Sequence, residues 1–174
     1  AYVTGVLTCA LPICDIMDKI SVGIGEGKTA VNQQILISYA LGSCVGVCMY
    51  DRDKKIAGMA HIVLPGKESA VSRENPYKFA DEGVKELIPE MERAGASRKR
   101  ITAKIAGGAK MFETASRQWE IGEQNVAAVK LALEKEGIRL VAENTGKNYG
   151  RTILFFAGDG KLEVRTVRQE TVVL

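Results

Sequence analysis

Val45-Gly46-Val47-Cys48-Met49-Tyr50, then Asp51-Arg52-Asp53-Lys54-Lys55, then Ala57-Gly58-Met59-Ala60-His61-Ile62-Val63-Leu64 is the stretch whose reading decides the fold. Both outer segments are nearly continuous apolar runs of strand length, the pattern of buried strands. The polar five between them read as a turn, so the whole reads as a hairpin. Pairing about a turn near Asp53 sets position 45 roughly opposite position 61. Cys44, at the mouth of the first strand, then becomes a neighbour of His61 on the second through local geometry alone.

Working outward, Lys19 to Val22 and Ile35 to Tyr39 read as further strands. Asn75-Pro76 opens a helix, with Asn as N-cap, Pro at the first position and an apolar stripe of Phe79, Val84, Leu87, Ile88 and Met91. Pro89 inside that stripe predicts a kink or an early break, and Gly95 ends the helix. Ile101 to Ile105 alternates as a strand and runs into Gly107-Gly108. A second helix follows Gly122, with Val126, Val129 and Leu133 on one face and Gly137 as its stop. Arg139 to Glu143, Thr152 to Phe156 and Leu162 to Val167 complete the strands, the last two joined by a turn at Gly158-Asp159-Gly160. Strands with two inserted helices predict an α+β domain, a mixed β-sheet or β-sandwich flanked by helices.

The chain has 174 residues, 46% of them hydrophobic and 26% charged, with a formal net charge of +3. That is enough for one domain with a sizeable core, and interspersed signs give no nucleic-acid footprint. Arg98-Lys99-Arg100 reads as a solvated connection before a strand. The longest apolar stretch, Ala1 to Cys14, is shorter than the ~20 residues a bilayer span needs and no basic residues precede it, so a soluble cytoplasmic protein is expected.

Ala1 to Ile13 shows neither clean helix nor strand periodicity, Thr4 to Ile13 resembles translated adapter sequence, and Met17-Asp18-Lys19-Ile20 looks like a natural start. Residues 1–16 are therefore read as a non-native or disordered extension, with an authentic edge strand as the alternative, and 17–174 as a single domain. The four cysteines, Cys9, Cys14, Cys44 and Cys48, are expected as reduced thiols, since no export signal accompanies them. With a single histidine and no C-x-x-C pair, a zinc site is poorly supported.

Gly23-Ile24-Gly25-Glu26-Gly27-Lys28-Thr29 invites comparison with a phosphate-binding P-loop, but the Gly required at the first position is Val22. A glycine-rich surface turn is the plainer reading. Asp51 could be cast as a magnesium-holding acid in the same nucleotide-binding scheme. Cys48 shares a strand face with Cys44 and reads as a small core hydrophobe. Cys44 differs in its setting: Gly42, Ser43 and Gly46 leave the backbone accessible, and N–H groups there suit an oxyanion hole. A thiol and an imidazole are the minimum for nucleophilic acyl chemistry, because a base or a positive end of a helix makes the thiol a nucleophile near neutral pH. A buried structural cysteine and a buried hydrogen-bonded histidine are the alternatives. The group that orients the imidazole could be Ser38, Tyr39, Ser43, Thr102 or Asn148.

Five ordered blocks, Leu41-Gly42-Ser43-Cys44-Val45-Gly46, Ala60-His61-Ile62-Val63-Leu64-Pro65, Lys104 to Phe112, Ile121-Gly122-Glu123-Gln124-Asn125 and Gly146 to Arg151, resemble the chemoreceptor glutamine deamidases (CheD). The resemblance implies Cys44 as nucleophile, His61 as general base and acid, and Ser38 as the orienting hydroxyl, with Gly42 and Ser43 supplying backbone support. It implies no cofactor and no metal, a fold similar to toxin-type Cys-His deamidases, and chemoreceptor cytoplasmic helices as substrate. It further implies a CheC-type phosphatase as regulatory partner and a related glutamyl methyl ester hydrolysis. The family usually has threonine at the position of Ser38 and often asparagine at that of Lys110. A non-catalytic partner of a chemotaxis phosphatase and a nucleotide-binding protein are the competing expectations.

Overall fold

The computed structural model describes residues 17–69, 75–111, 121–167 and 169–174. The expectations for residues 1–16, Cys9 and Cys14 included, lie outside these. Among the described residues, ten strands form two five-stranded sheets. β1 (Lys19–Ser21), β3 (Ile35–Leu41), β8 (Arg151–Phe156), β9 (Leu162–Thr166) and β10 (Gln169–Val173) make the first, in that order. The second runs β2 (Gly27–Val31), β5 (Ile56–Ile62), β4 (Val45–Asp51), β6 (Thr102–Gly107) and β7 (Arg139–Thr145). Both sheets are mixed: β1 lies parallel to β3 and β6 parallel to β7, and the other pairs are antiparallel. Helices α1 (Ala80–Arg93) and α2 (Ile121–Lys135) cover the far side of the second sheet. The α+β sandwich flanked by helices is the expected class.

Period two explains how the second sheet stays dry on both faces. Along β4, Val45, Val47 and Met49 pack toward the helices with Val84, Leu87, Met91, Val129 and Leu133. Cys48 and Tyr50 point the other way, into the inter-sheet core with Leu36, Leu41, Met59, Ile153, Phe155 and Leu162. Every residue of β4 and β5 is buried, which is why these strands read as nearly continuous apolar runs.

Several local expectations change. The helix opened by Asn75-Pro76 is a short 3-10 turn, Pro76–Lys78, capped by the Asn75 side chain, which accepts from the Tyr77 N–H; α1 starts only at Ala80. Phe79 is extended there and fully buried, bridging to Leu64, so it anchors the helix entry. Pro89 breaks nothing: α1 runs through it, with the deprived carbonyl at the exposed Lys85 turn and Leu87, Ile88 and Met91 held in the core. Gly27 to Val31 is a strand rather than a surface turn, pairing with β5 from Gly27 opposite Ala60 to Val31 opposite Ile56. Lys28 and Thr29 therefore sit in a sheet with no helix following them, which removes the phosphate-loop geometry. Asp51 is fully buried and its carboxylate accepts from Arg100 Nη2 at 2.7 Å, Arg100 Nε at 3.0 Å and the Ser97 N–H at 2.8 Å. It is a structural anchor, and the basic run 98–100 is a 3-10 turn tied down by it as well as solvated.

Candidate active site

The β4–β5 register puts Gly46 opposite His61 and Val45 opposite Ile62, one position from the arrangement expected. Cys44, Gly46 and Cys48 share one face of the sheet with His61 and Met59. Cys44 immediately precedes β4 and packs against the inter-sheet core that Cys48 and Met59 enter, on the side of the sheet that carries His61. Gly46 between them is tightly packed: a Cβ there would lie 2.4 Å from Ile153 Cδ1, so that side chain would have to shift. The His61 backbone is fixed from the other side by the glycine-rich turn, its N–H donating to Glu26 O at 2.9 Å and its carbonyl accepting from the Gly25 N–H at 3.1 Å.

Ser38 reaches this pair from the facing sheet. A β-bulge between Ser38 and Leu41, with Ala40 at φ 56°, adds one residue to β3, so Ser38 and Leu41 both point inward although they differ by an odd number. Ser38 is fully buried, its Oγ lying 2.9 Å from His61 Nδ1 and 2.9 Å from the Val22 carbonyl oxygen. That carbonyl can only accept, so the Ser38 hydroxyl donates to it and must accept from His61 Nδ1–H. The tautomer follows from the network: Nε2 carries the lone pair. Nε2 is buried and has no hydrogen-bond partner, which leaves it free to take a proton.

Cys44 is partly exposed, whereas His61 and Cys48 are buried. Burial pushes the Cys44 thiol up, with its own backbone N–H pulling the other way. Burial also holds His61 below its ordinary value of 6.5, opposed by the Val22 carbonyl. Both shifts favour the uncharged forms, a thiol and a neutral imidazole.

The loop Gly42-Ser43-Cys44 is tied down by all three of its carbonyls. Gly42 O accepts from the Ala109 N–H at 2.8 Å, Cys44 O from the Gly108 N–H at 2.8 Å, and Ser43 O from Asn125 Nδ2 at 2.9 Å. Gly107, at φ 116°, permits the approach, since a Cβ there would come within 2.2 Å of Cys44 O. None of these bonds uses the Ser43 or Cys44 N–H groups. Half-exposed Met111 lies over Gly42.

The remaining sequence candidates for the orienting group are elsewhere. Tyr39 is exposed and, with Tyr149 and Arg151, lines a cavity of about 900 Å³. Thr102 pairs with Tyr50 at the opposite end of β4, and Asn148 is exposed in the loop before β8. Ser43 contributes its carbonyl. Cys48 is core, as expected.

Two buried polar residues escaped the sequence reading of roles. Asn125 donates from Nδ2 to Ser43 O and to Val63 O, both at 2.9 Å. It lies on the α2 stripe of Gly122, Asn125, Val129 and Leu133, and a polar side chain in an apolar stripe is the signal that could have found it. Arg151 is fully buried and donates to Asn144 Oδ1, Tyr149 O and Gly146 O, which shapes the loop beside Gly107.

The CheD chemotactic sensory transduction family matches residues 63–166. The "probable chemoreceptor glutamine deamidase CheD" of Caldanaerobacter subterraneus subsp. tengcongensis is 47% identical over 148 residues, covering 84% of this chain and 91% of that protein. Proteins of the same name from Clostridium novyi and Pyrococcus horikoshii are 43% and 42% identical over 86% and 90% of this chain, and cover 94% and 98% of their own lengths. Among solved structures, Neisseria meningitidis protein NMB0706 aligns with a TM-score of 0.44 at 11% identity, over 75% of this chain and 64% of that one.

Proposed function

The chain belongs to the CheD family, and on that premise we propose that it is a chemoreceptor glutamine deamidase in which Cys44 is the nucleophile, His61 the general base and acid, and Ser38 the residue that orients the imidazole. The observation that carries this reading is the buried Ser38–His61 contact, which leaves Nε2 unpartnered on the sheet face it shares with Cys44.

The chemistry is acyl transfer. His61 Nε2 takes the Cys44 proton as sulfur attacks the side-chain amide carbon of glutamine, and the Ser43 and Cys44 N–H groups, in the loop begun by Gly42, stabilise the oxyanion. The His61 imidazolium, held by Ser38, protonates the departing nitrogen, and ammonia leaves a γ-glutamyl thioester. Water, deprotonated by His61, attacks the thioester; glutamate forms and the thiol is restored. The same intermediate would serve a glutamyl methyl ester, with methanol leaving in place of ammonia.

The substrate is a glutamine on the cytoplasmic helices of a chemoreceptor, which places the protein in the cytoplasm, with residues 17–174 as its deamidase domain. Among the described residues no helix is long and apolar enough to cross a membrane. The resemblance supports a CheC-type phosphatase as regulator at the same site. The thiol and imidazole need no cofactor. Incubation with a receptor cytoplasmic fragment tests the reading: peptide mass spectrometry should show Gln-to-Glu conversion with equimolar ammonia, and no conversion on several receptors would favour a non-catalytic partner of the phosphatase.

A further inference from the structure

We propose that Asn125 is a positioning residue for the deamidation, its side-chain amide bridging the two backbones that carry the nucleophile and the base; the inference rests on the assignment of Cys44 and His61 above. The β4–β5 ladder ends at the pair Val45 and Ile62, so Cys44 and Val63 lie beyond its last rung. Past that point the strands part, and the Val63 N–H turns to Lys78 O at 3.0 Å. Asn125 spans the gap. Its Nδ2 donates 2.9 Å bonds to Ser43 O, next to the nucleophile, and to Val63 O, two residues beyond the histidine.

The approach of α2 that makes this possible is built into the chain. A Cβ at Gly122, one turn before Asn125, would fall 2.6 Å from Ala109 O and 2.7 Å from Gly108 O, so the helix rests directly on the backbone that also holds Cys44 O. Asn125 Oδ1 is buried with no donor. An unpaired amide oxygen in a core costs stability, and the two bonds donated by Nδ2 to Ser43 O and Val63 O offset that cost. The amide has a purpose in its two donors. Asn125 therefore fixes the separation of thiol and imidazole, to which acyl-transfer rates are acutely sensitive.

The test compares Asn125→Ala with Val129→Ala, which hollows the same helix without touching either carbonyl, following deamidation of a receptor fragment and the pH dependence of Cys44 alkylation by iodoacetamide. Asn125→Ala should lower kcat by ~10²-fold with little change in KM, and its alkylation profile should match that of His61→Ala. Val129→Ala should melt earlier yet keep its kcat and the native profile. If Asn125→Ala does not fold, Asn125→Ser, with one shorter donor, is judged by the same criteria. A native kcat and alkylation profile in the Asn125 variant, or kcat losses in both variants that simply follow their melting points, would overturn the inference. Cys44→Ala is run alongside: deamidation without the thiol would defeat the parent assignment, whereas its loss beside an unaffected Asn125 variant defeats this inference alone.

Discussion

Ser38 Oγ stands 2.9 Å from His61 Nδ1 and joins the two sheets of the sandwich through one buried hydrogen bond. Because the same oxygen donates to the Val22 carbonyl, the serine can only accept from the ring. A strand of one sheet thereby sets the tautomer of an imidazole on the other.

Removing the hydroxyl frees the ring to rotate and leaves Nδ1 unpaired. A neutral hydrogen bond is worth about 0.5–1.5 kcal/mol, so Ser38→Ala should slow turnover by about tenfold. Ser38→Thr keeps the oxygen and stiffens its rotamer, and should hold or raise the rate. Steady-state deamidation kinetics check both, and an unchanged rate in Ser38→Ala would remove Ser38 from the site. His61→Ala, which deletes the base itself, should cost roughly 10²–10⁴-fold.

The acid limb of activity should lie low. Catalysis needs neutral His61, whose protonation burial disfavours from an ordinary value of 6.5. The acid midpoint of turnover should therefore lie below 6.5. Stability has the same sign: the unfolded imidazole protonates first, so the stability of the neutral buried ring is complete above 6.5 and is lost as pH falls from there to the lowered folded value. A kcat profile with its acid midpoint above 6.5 would contradict the burial argument.

Thiol labelling should separate the two described cysteines. Cys44 is partly exposed, whereas Cys48 is fully buried and its thiol is driven far above the ordinary 9.0 by desolvation. Iodoacetamide at neutral pH should modify Cys44 in the folded protein and leave Cys48 unmodified until denaturant is added, with mass spectrometry reading the sites.

Gly107→Ala tests the loop clamp. A Cβ would meet Cys44 O at 2.2 Å from a residue at φ 116°, so the nucleophile loop has to move. The strained backbone alone should cost about 1–3 kcal/mol, seen in chemical denaturation, and activity should fall further than stability.

The β4–β5 hairpin is legible because two strands buried on both faces are apolar at nearly every position, Asp51 and His61 excepted, and their turn is wholly polar. The placement of His61 opposite Gly46, where position 45 is expected, differs from it by one register step. Gly27 to Val31 escaped because the glycines at 23, 25 and 27 read as a turn, while sheet pairing with β5, a long-range contact, decides its state. Strand β10 escaped for the opposite reason: all five of its residues are exposed, so no periodicity marks it. Asn75 signalled a start correctly but of a 3-10 turn, because Phe79 leaves helical geometry to fill the core. At the site, residue types pointed to Cys44 and His61, but five hydroxyl or amide candidates stood equal for the third role until the resemblance singled out Ser38. The inward turn of Ser38 depends on the bulge at Ala40, which no local pattern announces. Asn125 acts through backbone carbonyls some 60 to 80 positions earlier in the chain, at Val63 and Ser43, contacts that sequence spacing does not display.

The central claim, that the Cys44 sulfur performs the attack, is tested most directly by measuring Gln-to-Glu conversion on a chemoreceptor cytoplasmic fragment with the native protein and with Cys44→Ala at equal concentration. Conversion by the native protein that vanishes in the variant, while both melt alike, is the predicted result; conversion by Cys44→Ala at the native rate would contradict the account.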